Sequence, residues 1–137
     1  AQMMHCTSLM FRGVFDRFPK LRVAFMEAGC SWAPYWFGRM SEEWEIRGEV
    51  EAPMCKRKPI EYLKDGRIYF HAEDYEPLIG ASAEILSHQN IYYASDFPHW
   101  DTEFPENIAH LGRRKDLNDE AKKWLFAESA KKLYNLS

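Results

Sequence analysis

The sequence predicts an α/β fold of about three parallel strands with flanking helices, on three observations. Short β-rich segments alternate with segments of helical hydrophobic period. Each strand is followed by a helix, and strands joined by helical crossovers run parallel. Of the 137 residues, 46% are apolar and 15% aromatic, enough for one compact core over residues 1–137 read as a single domain.

The first segment, residues 3–18, places Met4, Leu9, Met10, Val14, Phe15 and Phe18 at roughly helical spacing, and Pro19 stops it. Residues 21–27 read as a strand ending before Gly29. Its period of two puts Leu21, Val23, Phe25 and Glu27 on one face. Ser31 is the expected cap of the next helix, with Pro34 in its first turn. A polar loop with Pro53 and Pro59 follows. Asp65-Gly66 then turns the chain into a second strand, residues 67–73. Residues 75–89 read as a helix, 90–95 as the third strand and 96–101 as the loop after it. A short helix over 105–112 precedes a terminal helix capped by Asn118, with Ala121, Leu125, Phe126, Ala130, Leu133 and Tyr134 on its buried side.

Three parallel strands neither close a barrel nor make a good doubly wound sheet, and the outer two expose unpaired backbone groups. The expectation is that more chain or a partner subunit, such as another copy in a homo-oligomer, completes the sheet. Position 1 is Ala rather than Met, as expected of a chain that starts after processing or within a longer gene product.

Charge and cysteine usage narrow the function classes. The net charge is −3, and the short basic runs at 56–58 and 113–115 sit beside acidic residues, so they read as solvated loops rather than nucleic-acid contacts. Cys6, Cys30 and Cys55 are widely spaced without a CxxC pair, which supports neither a zinc knuckle nor a disulfide framework; a cytoplasmic setting is expected. No apolar run approaches the roughly 18 residues of a membrane span, and the N-terminus lacks a signal-peptide pattern.

The strongest chemical signal is YASDFPHWD at residues 93–101. It puts Asp96 at the C-terminal end of a strand, on the parity of Tyr92 and Ala94, where barrel enzymes place catalytic groups. An ionised carboxylate there needs a metal, a cation or strong hydrogen bonds; a turn or capping role is the alternative. Glu27 ends the first strand and is read either as a proton acceptor or substrate contact, or as a structural ion pair. His71 and Glu73 share a face of the second strand, and His71 is either a ligand contact or a packed, hydrogen-bonded histidine. His99 and Trp100 either touch substrate or order their loop. Trp32, with Tyr35 and Trp36, either roofs a site or belongs to the core. A nucleophilic role for Cys30 has no nearby histidine to support it.

Residues 13–29 (GVFDRFPKLRVAFMEAG), 32–36 (WAPYW), 91–101 (IYYASDFPHWD) and 127–136 (AESAKKLYNL) together resemble the sixth-strand, eighth-strand and C-terminal-helix regions of the amidohydrolase-2 group, which includes the aminocarboxymuconate-semialdehyde decarboxylase relatives. The resemblance implies a partial (β/α)8 barrel, its three strands equivalent to the last three. It also implies one divalent metal, often zinc, with Asp96 matching the last metal-site aspartate. The implied chemistry is metal-assisted hydrolysis or decarboxylation of a small carboxylate or carbonyl substrate. The HxH pair of the first strand and the fifth-strand histidine of that group are absent. A carboxylate, Glu27, stands where decarboxylase members often carry histidine. The chain alone is therefore expected to be weakly active or inactive, and the alternative is a non-catalytic, self-associating scaffold.

Overall fold

A computed structural model describes residues 1–136. Strands β1 (Val23–Phe25), β2 (Ile68–His71) and β3 (Ile91–Tyr92) form one parallel sheet in the order β1-β2-β3. Val23 lies opposite Ile68, Phe25 opposite Phe70, and Phe70 opposite Ile91. The helices are α1 (Gln2–Phe11), α2 (Val14–Arg17), α3 (Ala33–Glu51), α4 (Ile79–Leu86), α5 (Glu106–Arg113), α6 (Asp119–Lys123) and α7 (Ser129–Tyr134). The predicted α/β class and parallel sheet are those observed. No helix among the described residues is long and apolar enough to cross a membrane.

The period of two explains which strand face is packed. Phe25, Ile68, Phe70 and Ile91 belong to the hydrophobic core together with Phe37 and Met40 of α3 and Ile79, Ala83 and Leu86 of α4. Phe25 stacks on Phe70 at 5.6 Å, and Trp32 meets both rings edge-on at 5.6 Å. Such pairs add about 0.5–1.5 kcal/mol each beyond their area burial. The alternate face carries Tyr69, His71 and Tyr92, all buried.

Helix α7 lies across the N-terminal ends of all three strands. The Leu133 carbonyl accepts from Arg22 before β1, the Lys132 ammonium sits over Gly66 before β2, and Lys132 donates to Gln89 before β3. Just past its end, each outer strand is met by one hydrogen bond from a helical segment. A π-helix, Trp124–Glu128, joins α6 to α7, and its Leu125 carbonyl accepts from the Tyr93 N–H at 2.8 Å. The Gln2 side chain donates to the Met26 carbonyl at the other edge.

Several elements depart from the expectation. The helix expected over 3–18 is two helices, because Gly13 adopts φ 64° and the Met54 carbonyl lies where a Cβ would stand. Ser31 does not cap α3: the cap position is Trp32, and the buried Ser31 hydroxyl has no hydrogen-bond partner among the described residues. The polar loop contains a 3-10 helix, Pro59–Asp65, that buries Tyr62 and Leu63. The helix expected over 75–89 is confined to α4, with a 3-10 turn at His88–Asn90. Asn118 does cap the terminal helical segment, accepting from the Ala121 N–H, but Tyr134 is exposed rather than buried.

Candidate functional site

Parallel strands leave all their C-terminal ends on one side of the sheet, and the loops there surround a cleft of about 340 Å³. It is lined by Glu27 after β1, by Glu73, Asp74 and Tyr75 after β2, and by residues 94–96, 99 and 101–103 after β3, with Asn107 of α5. Glu27, Glu73, Asp74, Asp96, Asp101 and Glu103 give this wall six carboxylates. Among the described residues no Lys or Arg lines it.

β1 ends at Phe25 and β3 at Tyr92, so both acids stand in the segments beyond the strands. Glu27 has φ 52° and Asp96 has φ 55°, so neither continues the alternation of its strand. Parity alone would have kept Glu27 on the packed face of Phe25. Beyond the end of β1 that alternation no longer applies, and both carboxylates border the same cleft.

His99 joins Asp96. Its Nδ1 pairs with the Asp101 carboxylate and lies 3.6 Å from Asp96 Oδ2. The hydrogen bond and charge of Asp101 raise the His99 pKa, with a smaller contribution from Asp96, while Asp101 is lowered by the same contact. Donor atoms of Asp96, His99 and Asp101 all fall within 4.8 Å of one another, as do those of Asp74, Glu103 and His110. Carboxylate oxygen with one imidazole suits a hard or borderline divalent ion, its remaining positions filled by water or by other protein groups. The loop is braced: Thr102 donates to the Ser95 carbonyl at 2.5 Å, and Tyr93 donates to Asn107 at 2.8 Å.

His71 lies behind the cleft rather than in its lining, 2% exposed. The Glu27 N–H donates to its Nδ1 at 3.3 Å, Glu73 Oε1 lies 3.0 Å from the same nitrogen, and Nε2 meets the Ala94 carbonyl at 3.1 Å. Burial opposes a charge on the ring, but Glu73 and the Ala94 carbonyl outweigh it, and the net shift is upward.

The remaining sequence candidates are dispersed. Trp32 packs in the core and donates its indole N–H to the Gly29 carbonyl, so it does not roof the cleft. Trp100 is 87% exposed and does not line the cleft. Cys30 is buried, and desolvation followed by Glu76 pushes its thiol up to about 12, against a nucleophilic role.

Sequence reasoning missed Glu76. Its buried carboxylate accepts from the N–H groups of Cys30 and Ser31 at 2.9 Å each and from Glu73 at 2.9 Å. It fixes the turn that leads into α3, whose own first turn has no side-chain cap, and it ties the loop after β1 to the loop after β2. Gly29, at φ 65°, admits it, since a Cβ there would overlap the carboxylate. Pro77 directly after Glu76 was the available signal that this stretch is a turn rather than a helix.

Comparison with known proteins supports the fold. A family model described as amidohydrolase matches residues 1–136. An amidohydrolase of Mycobacterium avium subsp. paratuberculosis K-10 superposes with a TM-score of 0.77 at 19% identity, covering 93% of this chain and 32% of that one. The 5-carboxyvanillate decarboxylase of Sphingomonas paucimobilis gives 0.80 at 19% identity, covering 98% and 39%. That of Novosphingobium aromaticivorans DSM 12444, solved with manganese and 3-methoxy-4-hydroxy-5-nitrobenzoic acid, gives 0.78 at 22% identity over the same shares. The chain thus spans between a third and two-fifths of the length of these barrel structures. With its three parallel strands and a matching model over nearly every residue, the chain belongs to the amidohydrolase family.

Proposed function

We propose that this chain forms one wall of a metal-dependent active site for hydrolysis or decarboxylation of a small carboxylate or carbonyl substrate. The observation that carries the reading is the convergence of Glu27, Asp96, His99 and Asp101 on one cleft at the C-terminal ends of the strands. Asp96 is the metal ligand, and His99 and Asp101 supply neighbouring donor atoms. A divalent ion there, zinc or manganese, supplies Lewis-acid polarisation and acidifies bound water. Glu27 borders the cleft as a carboxylate able to take a proton or hold a substrate group. The Asp101 contact raises the His99 pKa and favours the protonated ring beside the cleft, where it can serve as a proton donor. Trp100 contacts substrate only from the rim. His71 acts through Glu27 rather than on substrate, and Trp32 supports the site from the core.

Catalytic zinc sites use about three protein ligands held on a rigid scaffold, whereas Asp96, His99 and Asp101 all come from one exposed loop and the chain spans only 32–39% of the barrel structures it resembles. Activity of the chain by itself is therefore weak or absent. The test is an assay of the purified chain, with added zinc or manganese, on amide, lactone and aromatic carboxylate panels. Robust turnover abolished in Asp96→Ala contradicts the inactivity; metal-independent turnover contradicts the metal reading itself.

The open edge at β1 and the exposed Met26, Phe97 and Trp100 favour a second reading, a self-associating protein in which copies bury one another's strand edges. Sedimentation equilibrium separates the two, since a well-behaved monomer removes the second.

A further inference from the structure

We propose that His71 is a positioning residue that sets Glu27 and Asp96 relative to each other, and that the occupancy of its Nδ1 decides whether the Glu27 backbone or the Glu73 carboxylate is held. The proposal rests on the reading of Glu27 and Asp96 as the site pair. The ring ends the central strand, buried, with one nitrogen turned to each outer strand. On the β3 side Nε2 faces the Ala94 carbonyl at 3.1 Å, two residues before Asp96. A carbonyl only accepts, so Nε2 carries a hydrogen in every state.

The β1 side holds two incompatible partners. At 3.3 Å the Glu27 N–H needs a lone pair on Nδ1, while at 3.0 Å the Glu73 carboxylate needs a hydrogen there. Neutral His71 holds Glu27 and releases Glu73. Charged His71 holds Glu73 and leaves the Glu27 N–H without its acceptor. Glu27 sits at φ 52°, a conformation that costs a non-glycine residue about 1 kcal/mol or more, so loss of this bond frees the carboxylate from its place at the cleft.

The groups facing the ring are accounted for from each side. Glu27 comes from the β1 end, and Glu73 and Glu76 from the segment after β2. Tyr92 of β3 lies 5.9 Å away between ring centroids, with its hydroxyl buried and unpartnered among the described residues. All the charged neighbours are carboxylates. The ring therefore acts as the one switchable contact between two anionic strand ends.

The test uses the whole chain and needs no metal. Ring nitrogen NMR and Glu27 amide exchange, corrected for the intrinsic pH dependence, are followed from about pH 5 to about pH 9, bracketing the ordinary histidine range. The expected result is an Nε2–H tautomer at high pH and Glu27 protection at least tenfold greater there than at low pH. His71→Asn, which keeps an acceptor near the Nδ1 position, holds protection constant across the range; His71→Phe abolishes it throughout. An Nδ1–H tautomer, or wild-type protection that does not change with His71 charge, overturns the proposal. If His71→Phe does not fold, the tautomer and the His71→Asn profile still decide it. Manganese titration of the same samples reads the site assignment separately: protection that switches without any metal binding sinks the proposed function alone.

Discussion

Glu27 and Asp96, in the segments that follow the two outer strands, share the same left-handed backbone conformation, φ 52° and φ 55°, and border one cleft. Strain of this kind is common at binding sites, and a glycine at either position would relieve it. Glu27→Gly and Asp96→Gly are therefore expected to leave stability within about 1 kcal/mol of wild type or raise it. Chemical denaturation checks this. A loss well beyond that value would make the two carboxylates structural.

Glu76 is expected to matter more for stability than any acid in the cleft. Truncation to Ala leaves the Cys30, Ser31 and Glu73 N–H groups without their acceptor in a mostly dry environment. Hydrogen bonds to a charged group are worth about 1.5–3 kcal/mol each and do not add fully. A total loss of about 3–5 kcal/mol is therefore expected by urea denaturation, with Glu76→Gln recovering part of it. A loss below about 1 kcal/mol would show that this carboxylate does not hold the loops.

Gly13→Ala combines a positive φ with overlap against the Met54 carbonyl. Neither the backbone nor the carbonyl can yield cheaply, and a destabilisation of about 2–4 kcal/mol is expected from strain and overpacking together. Gly38→Ala, with open space around the site in a helix interior, serves as the control and is expected to stabilise slightly.

His71 makes stability depend on pH with a defined sign. Its folded pKa lies above the ordinary value near 6.5, so the folded state holds a proton that the unfolded state has lost between the two values. The stabilisation is complete below the unfolded pKa and disappears as pH rises through the folded one. Thermal melts are expected to show this component in wild type and to lose it in His71→Asn. A His71 contribution that grows with rising pH would contradict the geometry.

The thiols are expected to be inert in the native state. Burial pushes Cys6 up to about 12, and Cys30 likewise with help from Glu76; Cys55 is raised as well. At about pH 8 a free thiol is partly ionised, whereas the three native cysteines are expected to react with a disulfide reagent only at the rate of unfolding. Fast labelling of Cys30 would reopen its role as a nucleophile.

What was legible in the sequence follows from what was local. Parallel sense came from strands alternating with helical crossovers, and Asn118 announced its helix through its own side chain. Asp96 and His99 were legible because they lie three residues apart in one loop. Hidden features came from distant segments. The Glu76 clasp on the turn before α3 joins residues 46 positions apart, and the His71 bridge ties the segments after β1 and β3 to the end of β2. Left-handed φ at Glu27 and Asp96 was hidden too, because neither residue type demands it. Trp32 could not be assigned to core or roof without knowing that Phe25 and Phe70 stack beside it.

The central claim is a divalent ion at Asp96, and manganese titration of the whole chain, followed by the loss of the free-ion paramagnetic resonance signal, tests it most directly. One weak equivalent bound by wild type, lost in Asp96→Asn and kept in Glu103→Gln, is the predicted result. Equal binding by wild type and Asp96→Asn would contradict it.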